Sequence, residues 1–190
     1  MLLYAVTDRA WVGKQTLCEQ VEAALKGGCT CVQLREKELS DAEFLEEAIK
    51  IHEICKHYGV PFIVNDNVDI AVKCHAEGIH VGQDDMKASC VRERVGDDMI
   101  IGVSAHTVKN GADYLGAGAV FGSSTKQNAG AMKKETLRSI CEAVDIPVVA
   151  IGGINGKNLK ELSHTGIDGV ALVSAIFAAD DIENTCRALR

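Results

Sequence analysis

Eight times along this chain a short, β-branched apolar run ends in a polar or glycine-rich cluster, and helical patterns fill most of the intervals between runs. The runs cover residues 2–6, 31–32, 61–64, 79–81, 99–103, 114–121, 147–151 and 169–173. Strands buried on both faces read as near-continuous apolar stretches, the pattern of a parallel sheet covered by helices. Crossovers in such a sheet are right-handed almost without exception, so eight strand–helix units favour closure into a (β/α)8 barrel. A barrel of that kind keeps its chemistry at the C-terminal ends of its strands. The site is therefore expected in the clusters themselves: Thr7-Asp8, Gln33 to Lys37, Asn65-Asp66, Gln83-Asp84-Asp85, Ser104-Ala105-His106, Ser123 to Lys126, Gly152-Gly153 and Val173-Ser174.

No composition break or linker interrupts the 190 residues, which read as a single α/β domain over 1–190. That is somewhat short for such a barrel, which typically runs to ~250 residues. The clearest helix is predicted over 41–57. Ser40 and Glu43 form an S-x-x-E capping box. Phe44, Leu45, Ala48, Ile51, Cys55 and Tyr58 follow the three-and-four spacing of one buried face, and Gly59 then stops the helix before Pro61. Further helices are expected over 14–26, 68–77, 88–95, 134–144, 157–164 and 181–189. One unit departs from the pattern. Only residues 105–111 separate the fifth cluster from the apolar stretch beginning at Ala112, whereas a parallel crossover normally needs about a dozen residues or more. Either the fifth helix is reduced to a turn, or a disordered stretch between Val108 and Gly111 is missing from the sequence.

A formal net charge of −7, with no polybasic cluster, argues against a nucleic-acid surface. The apolar runs reach about ten residues, well under the ~20 needed to cross a bilayer. The first residues lack the charged segment and long apolar stretch of a signal peptide. A soluble cytoplasmic protein with no nucleic-acid or membrane partner is the expectation, and a homo-oligomer is left open. Eight cysteines stand at positions 18, 29, 31, 55, 74, 90, 141 and 186 without a C-x-x-C pair. Free cysteine packs as a small hydrophobe, so structural thiols in a reducing compartment are expected, with Cys29 and Cys31 pointing the same way from one strand. His52, His57, His75, His80 and His164 are read as surface or packing residues.

Gln33, Arg35 and Lys37 alternate, so all three side chains should project to one side of their strand. Two cations and an amide at a strand end suit a polyanion, since arginine offers a planar fork and lysine a point charge. The competing reading is a surface ion-pair ladder with Glu36 and Glu38, which alternation disfavours by placing Glu36 on the opposite face. Asp66 and Asp85, from neighbouring strand ends, offer the hard oxygen ligands that Mg²⁺ takes together with waters and phosphate oxygens. An Asn-Asp pair alone is weak evidence, because both residues favour helix N-caps. Beside a cation cluster it points to a metal-bound diphosphate. Ser123-Ser124-Thr125-Lys126 leads into the small residues 127–131, suited to a mobile flap. Gly152-Gly153 and Ser174 follow the seventh and eighth runs, where barrels often bind a phosphate through backbone N–H groups. The mouth thus reads as a two-anion site, with a diphosphate on one side and a monophosphate opposite.

These segments resemble one family: thiamine phosphate synthase, also called thiamine-phosphate pyrophosphorylase. The likeness runs through Tyr4 to Asp8, Val32 to Lys37, Phe62 to Asp66, Gly82 to Asp85, Gly102 to Thr107, Gly111 to Gly116, Ser124 to Lys126, Ala150 to Ile154 and Val173 to Phe177, in family order over nearly the whole chain. The resemblance implies a TIM barrel that joins 4-amino-2-methyl-5-hydroxymethylpyrimidine diphosphate to 4-methyl-5-(2-hydroxyethyl)thiazole phosphate, giving thiamine phosphate and pyrophosphate. By motif, Gln33, Arg35, Lys37, Asn65, Ser104 and Lys126 would bind the pyrimidine diphosphate, with Arg35, Ser104 and Lys126 serving catalysis. Asp66 and Asp85 would hold Mg²⁺, and Ser123, Ser124, Thr125, Gly152, Val173 and Ser174 the thiazole phosphate. The implied reaction is dissociative: C–O cleavage gives a pyrimidine-stabilised cation that the thiazole nitrogen captures. Two departures stand out. Gly122-Ser123 replaces the family's usual Pro-Thr. Roughly seven residues of the family's fifth helix are absent before Gly111, leaving fewer than a parallel crossover normally uses.

Three alternatives follow from the same residues. A thiazole tautomerase on this barrel would use a histidine such as His106 as acid and base and would not need the two carboxylates. A Schiff-base aldolase would need a desolvated lysine, for which Lys37 is the candidate. A catalytically silent precursor-binding barrel would keep the phosphate site and lose the metal site. Retention of Asp66 and Asp85 with Lys126 favours the synthase.

Overall fold

The apolar runs become eight strands: β1 Leu2–Val6, β2 Cys31–Leu34, β3 Phe62–Asn65, β4 Gly78–Val81, β5 Ile100–Ser104, β6 Tyr114–Gly118, β7 Val148–Ile151 and β8 Gly169–Leu172. In this computed structural model, which describes residues 2–13, 15–82, 86–104, 111–122 and 131–190, they close into a barrel in sequence order. Every neighbouring pair is parallel, including β1 with β8, so all eight C-terminal ends share one rim. Outside lie α1 Leu17–Lys26, α2 Asp41–His57, α3 Val68–Lys73, α4 Ala88–Val95, α5 Lys134–Glu142, α6 Ser174–Phe177 and α7 Ile182–Leu189. Among the described residues, no helix is long and apolar enough to cross a membrane.

Alternation along the strands produces two apolar layers. Leu3, Ala5, Val32, Leu34, Val64, Ile79, Ile101, Leu115, Val148 and Leu172 pack against the helices. Tyr4, Val6, Ile63, Tyr114, Val149 and Ala171 fill the barrel interior. Two large rings occupy that interior because small residues face them. A Cβ on Gly102 would lie 2.1 Å from the Tyr114 ring, and one on Gly116 would lie 3.1 Å from His80. Glycine inside a strand commonly marks such a close approach.

Helix boundaries follow caps more than periodicity. The predicted 41–57 helix forms with both halves of its Ser40–Glu43 box. The helix expected over 14–26 begins only at Leu17, because Thr16 and Glu19 form a second capping box. The 68–77 expectation overshoots: α3 stops at Lys73, with Cys74 as cap and His75 left-handed at φ 56°. The 157–164 stretch forms just a 3₁₀ turn over Leu159–Leu162, preceded by a loop in which Asn158 accepts from Asn155 N and donates to Gly153 O. The short α6 has no counterpart in the expectations. Cys29 and Cys31 do not share a face, since β2 starts only at Cys31. Cys31 packs against the interior layer, whereas Cys29 lies in the outer layer with its sulfur 3.6 Å from that of Cys186 in α7. All eight cysteines are free.

The fifth unit closes without a helix among the described residues between β5 and β6. Its register is regular, with Gly102, Val103 and Ser104 opposite Tyr114, Leu115 and Gly116. Asp113 ties the end of the connection down. Its backbone N–H donates to Ile101 O at 2.7 Å, and its carboxylate accepts from Ile101 N and from Arg92.

One carboxylate shapes the loop after β2. Glu36 Oε1 accepts from the backbone N–H groups of Lys37, Glu38 and Leu39, at 2.7, 2.8 and 3.3 Å. Its Oε2 accepts from Arg9, which also reaches Glu47 on α2. Glu36 is therefore a buried anchor of the loop that carries Lys37, which excludes the surface-ladder reading. Burial opposes its charge, but the backbone donors and Arg9 outweigh that and hold its carboxyl below the usual glutamate range. A depressed folded value contributes stability above the ordinary glutamate pKa, and that stability is lost as pH falls through the folded value.

Two outcomes are expected. Glu36→Gln lowers stability at neutral pH by about 1–3 kcal/mol, the scale of hydrogen bonds to a charged group. The difference from wild type shrinks as pH falls from 6 toward 3, as read from urea midpoints. Gly102→Ala crowds Tyr114 and costs about 1–3 kcal/mol, the usual range for overpacking, seen as a lower thermal midpoint.

Candidate active site

The rim is assembled from backbone outward. Arg35 follows the last residue of β2, and its N–H donates to the hydroxyl of buried Thr7, 3.0 Å away after β1. Its guanidinium lies 3.5 Å from Asp8. Lys37 forms an ion pair with Asp66 at the end of β3. Asp66 adopts a left-handed φ of 62°, a conformation that aspartate tolerates better than most residues, and its N–H donates to His80 O. Asn65 donates to the Asp66 carboxylate at 3.0 Å and to His80 O at 3.3 Å. Strand ends β1, β2 and β3 thus bring Asp8, Arg35, Lys37, Asn65 and Asp66 together.

Below that rim a chain of hydrogen bonds crosses the barrel. Gln33 Nε2 donates to the Tyr4 hydroxyl at 2.8 Å, and the Tyr4 and Tyr114 hydroxyls stand 2.8 Å apart. Tyr114 meets His80 Nδ1 at 2.8 Å, and His80 Nε2 meets Ser104 Oγ at 2.8 Å. Burial holds both phenols above the ordinary tyrosine range, reinforced at Tyr4 by Tyr114. They stay protonated and act as neutral hydrogen-bonding groups. Two of the residues singled out from sequence, Gln33 and Ser104, are the ends of this chain.

On the opposite side, Gly152 ends the β7 turn at φ 99°, and a Cβ there would fall 2.5 Å from that of Ala119. Gly152 O also accepts from Phe121 N at 3.0 Å. The backbone and its packing thus require glycine here whether or not a phosphate approaches. Val173 follows β8, and Ser174 opens α6. Asp85, Ser123, Ser124, Thr125 and Lys126 lie outside the described residues, as do Gln83, Asp84 and His106.

Sequence reasoning missed Tyr4, Tyr114 and His80 as members of the site. His80 is neither surface nor simple packing: it is buried inside the barrel with both ring nitrogens engaged. The available signal was a histidine between Ile79 and Val81, a titratable residue inside an otherwise apolar strand. His52, by contrast, is a packing residue, stacked on Phe62 and bonded to Cys74 O and Glu77. Among the described residues, no group of three or more His, Cys, Asp or Glu side chains converges as a metal cage. Mg²⁺ needs no such cage, since one or two carboxylates with substrate phosphates suffice.

Comparison with known proteins agrees with this geometry. The profile of the thiamine monophosphate synthase family matches residues 3–176. Thiamine-phosphate synthase of Ruminiclostridium cellulolyticum is 49% identical over 194 residues, covering 98% of this chain and 92% of the relative. That of Clostridium acetobutylicum is 45% identical over the same length, again covering 98% of this chain and 92% of the relative. Among solved structures, thiamine phosphate pyrophosphorylase from Pyrococcus furiosus superposes with a TM-score of 0.92 at 38% identity, covering all of this chain and 93% of that one. 3-Hexulose-6-phosphate synthase, at 17% identity and a TM-score of 0.69, covering all of this chain and 98% of its own, shares the fold alone. Profile, relatives and rim geometry converge: this chain belongs to the thiamine monophosphate synthase family.

Proposed function

We infer that the chain is a transferase that joins 4-amino-2-methyl-5-hydroxymethylpyrimidine diphosphate to 4-methyl-5-(2-hydroxyethyl)thiazole phosphate, forming thiamine phosphate and releasing pyrophosphate. The observation that carries this reading is the meeting of Arg35, Lys37, Asn65 and Asp66 at adjacent strand ends, above Gln33 and Ser104. Cations, amides and a carboxylate so arranged suit a diphosphate joined to a polar heterocycle. Gln33, Arg35, Lys37, Asn65, Ser104 and Lys126 bind that substrate. Ser123, Ser124, Thr125, Gly152, Val173 and Ser174 hold the thiazole phosphate on the opposite side of the mouth.

The donor chemistry at Asp66 fits Mg²⁺: a hard carboxylate oxygen beside a diphosphate site. Asp66 and Asp85 would hold it, and a bound Mg²⁺ supplies positive charge to the departing diphosphate. Arg35, Lys37 and Lys126 act on the same developing charge. The two phosphate subsites hold the thiazole nitrogen and the pyrimidine methylene carbon in line for the new bond. The reaction needs no protein nucleophile. Excluding water around the cation favours capture by the thiazole over hydrolysis. Eight free thiols suit a reducing cytoplasm, and the whole chain acts as one domain.

The decisive assay supplies both substrates with Mg²⁺ and quantifies pyrophosphate and thiamine phosphate together. Equal yields are expected, and thiazole isomerisation without pyrophosphate would favour a tautomerase instead. Asp66→Asn, which tolerates the left-handed backbone better than alanine, and Asp85→Ala are each expected to lose most turnover while unfolding near the wild-type midpoint. Near-full activity of either variant in metal-depleted buffer contradicts the metal assignment. Lys126→Ala is expected to lower turnover by 10²-fold or so while thiazole phosphate affinity stays within about threefold, because the lysine acts on charge that grows in the transition state.

A further inference from the structure

The hydrogen-bond chain through the barrel has a property that its separate contacts lack. Each link holds one proton, and each inner member both receives and gives. A phenol has one proton to give and two lone pairs to receive with, and a neutral imidazole donates from one nitrogen and accepts at the other. When each phenol hands its proton to the next member, the chain takes a single direction as a whole. With Gln33 Nε2 donating to Tyr4, the order runs Tyr4 to Tyr114, Tyr114 to His80 Nδ1, and His80 Nε2–H to Ser104 Oγ. Ser104 has then accepted, so its own proton is available to an outside acceptor. Gln33 has turned its amide nitrogen toward Tyr4, which spends one of its two N–H groups and leaves its carbonyl to receive a donor.

We propose that Tyr4, Tyr114 and His80 are positioning residues that polarise the two ends of this chain, making Gln33 an acceptor and Ser104 a donor toward the aminopyrimidine substrate. This rests on the reading of the site given above. The ligand offers matching groups: an exocyclic amine that donates, and ring nitrogens and phosphate oxygens that accept. The reverse direction would turn the Gln33 amide over and make Ser104 an acceptor, favouring a ring that carries a carbonyl in place of the amine. Three facts favour a built device over incidental packing. All three inner members are buried, and Gly102 and Gly116 leave the space that Tyr114 and His80 occupy. Tyr114 and His80 also lie on strands facing the same interior, close enough for ring contact, with centroids 5.4 Å apart. A site that hydrogen-bonds a specific substrate group strongly rejects an analogue lacking it.

The tests separate this inference from the reaction itself. In the ligand-free wild-type protein, ¹⁵N–¹H correlation spectra should show His80 as the neutral tautomer protonated at Nε2. Protonation at Nδ1 overturns the proposed direction whatever the enzyme turns over. Calorimetry on wild type should then show the 4-amino pyrimidine diphosphate preferred over its 4-oxo counterpart by ~10²-fold or more. Tyr114→Phe keeps the ring and removes one link. It should narrow that preference by ~10-fold, weaken the amino ligand by a similar factor, and leave thiazole phosphate affinity unchanged. An unaltered amino-to-oxo preference in a folded Tyr114→Phe variant shows that the chain only packs the barrel. If the variant fails to fold, the wild-type tautomer still decides. If wild type shows the expected tautomer but makes no thiamine phosphate, the reading of the reaction fails and the polarity stands.

Discussion

Closure of eight parallel strands in sequence order is the constraint from which the rest follows. A parallel sheet satisfies its backbone only between strands, so each strand is pinned on both edges and its side chains have two directions left. One direction meets helices and takes Val, Ile and Leu. The other meets the opposite wall of the barrel, where space is scarce and each large side chain needs a small one facing it. Tyr114 and His80 claim that space, and glycines at 102 and 116 yield it. Because every strand runs the same way, whatever follows its last residue emerges on one rim, which is why residues from 8 to 174 can share a single mouth.

Rim chemistry and barrel interior are physically continuous. Asp66 sits left-handed with its amide bonded to His80 O, while the His80 ring reaches inward to Tyr114 and Ser104. Gln33 faces inward from β2, and two residues later Arg35 is fixed by Thr7. A carboxylate that presents itself to solvent and a phenol that sees none therefore depend on the same few backbone bonds. Glu36 extends the arrangement outward, binding the loop that carries Lys37 to Arg9 and so to α2.

Much of this was legible in sequence, for local reasons. The apolar runs, the Ser40–Glu43 box and the Gly59–Pro61 stop fix strands and α2 through interactions only a few residues long. Gln33, Arg35 and Lys37 were grouped by strand alternation, but β2 ends at Leu34, so Lys37 reaches Asp66 from the loop that Glu36 holds. Expectations failed where a stronger local signal or a distant partner decides. The start of α1 was misplaced because the Thr16–Glu19 box outranks an earlier amphipathic pattern. Glu36 could be assigned to the opposite face, but nothing nearby announces Arg9, 27 residues away, as its partner. Tyr4 and Tyr114 touch across 110 residues, and within their own strands each reads only as a large apolar side chain.

The short connection between β5 and β6 bears on the order in which the barrel assembles. Nine residues, 105 to 113, link that parallel pair, against 27 between β2 and β3. Loop-closure entropy grows with the logarithm of length, so the shorter link lowers the cost of bringing its strands together by about 1 kcal/mol. Asp113 adds a local fastening to Arg92 and Ile101, contacts the chain can make before any of the barrel has closed. The unit with the shortest connection is thus the one whose strands the unfolded chain brings together at least entropic cost. A short link between neighbouring parallel strands favours early pairing of those strands, because local contacts form fastest.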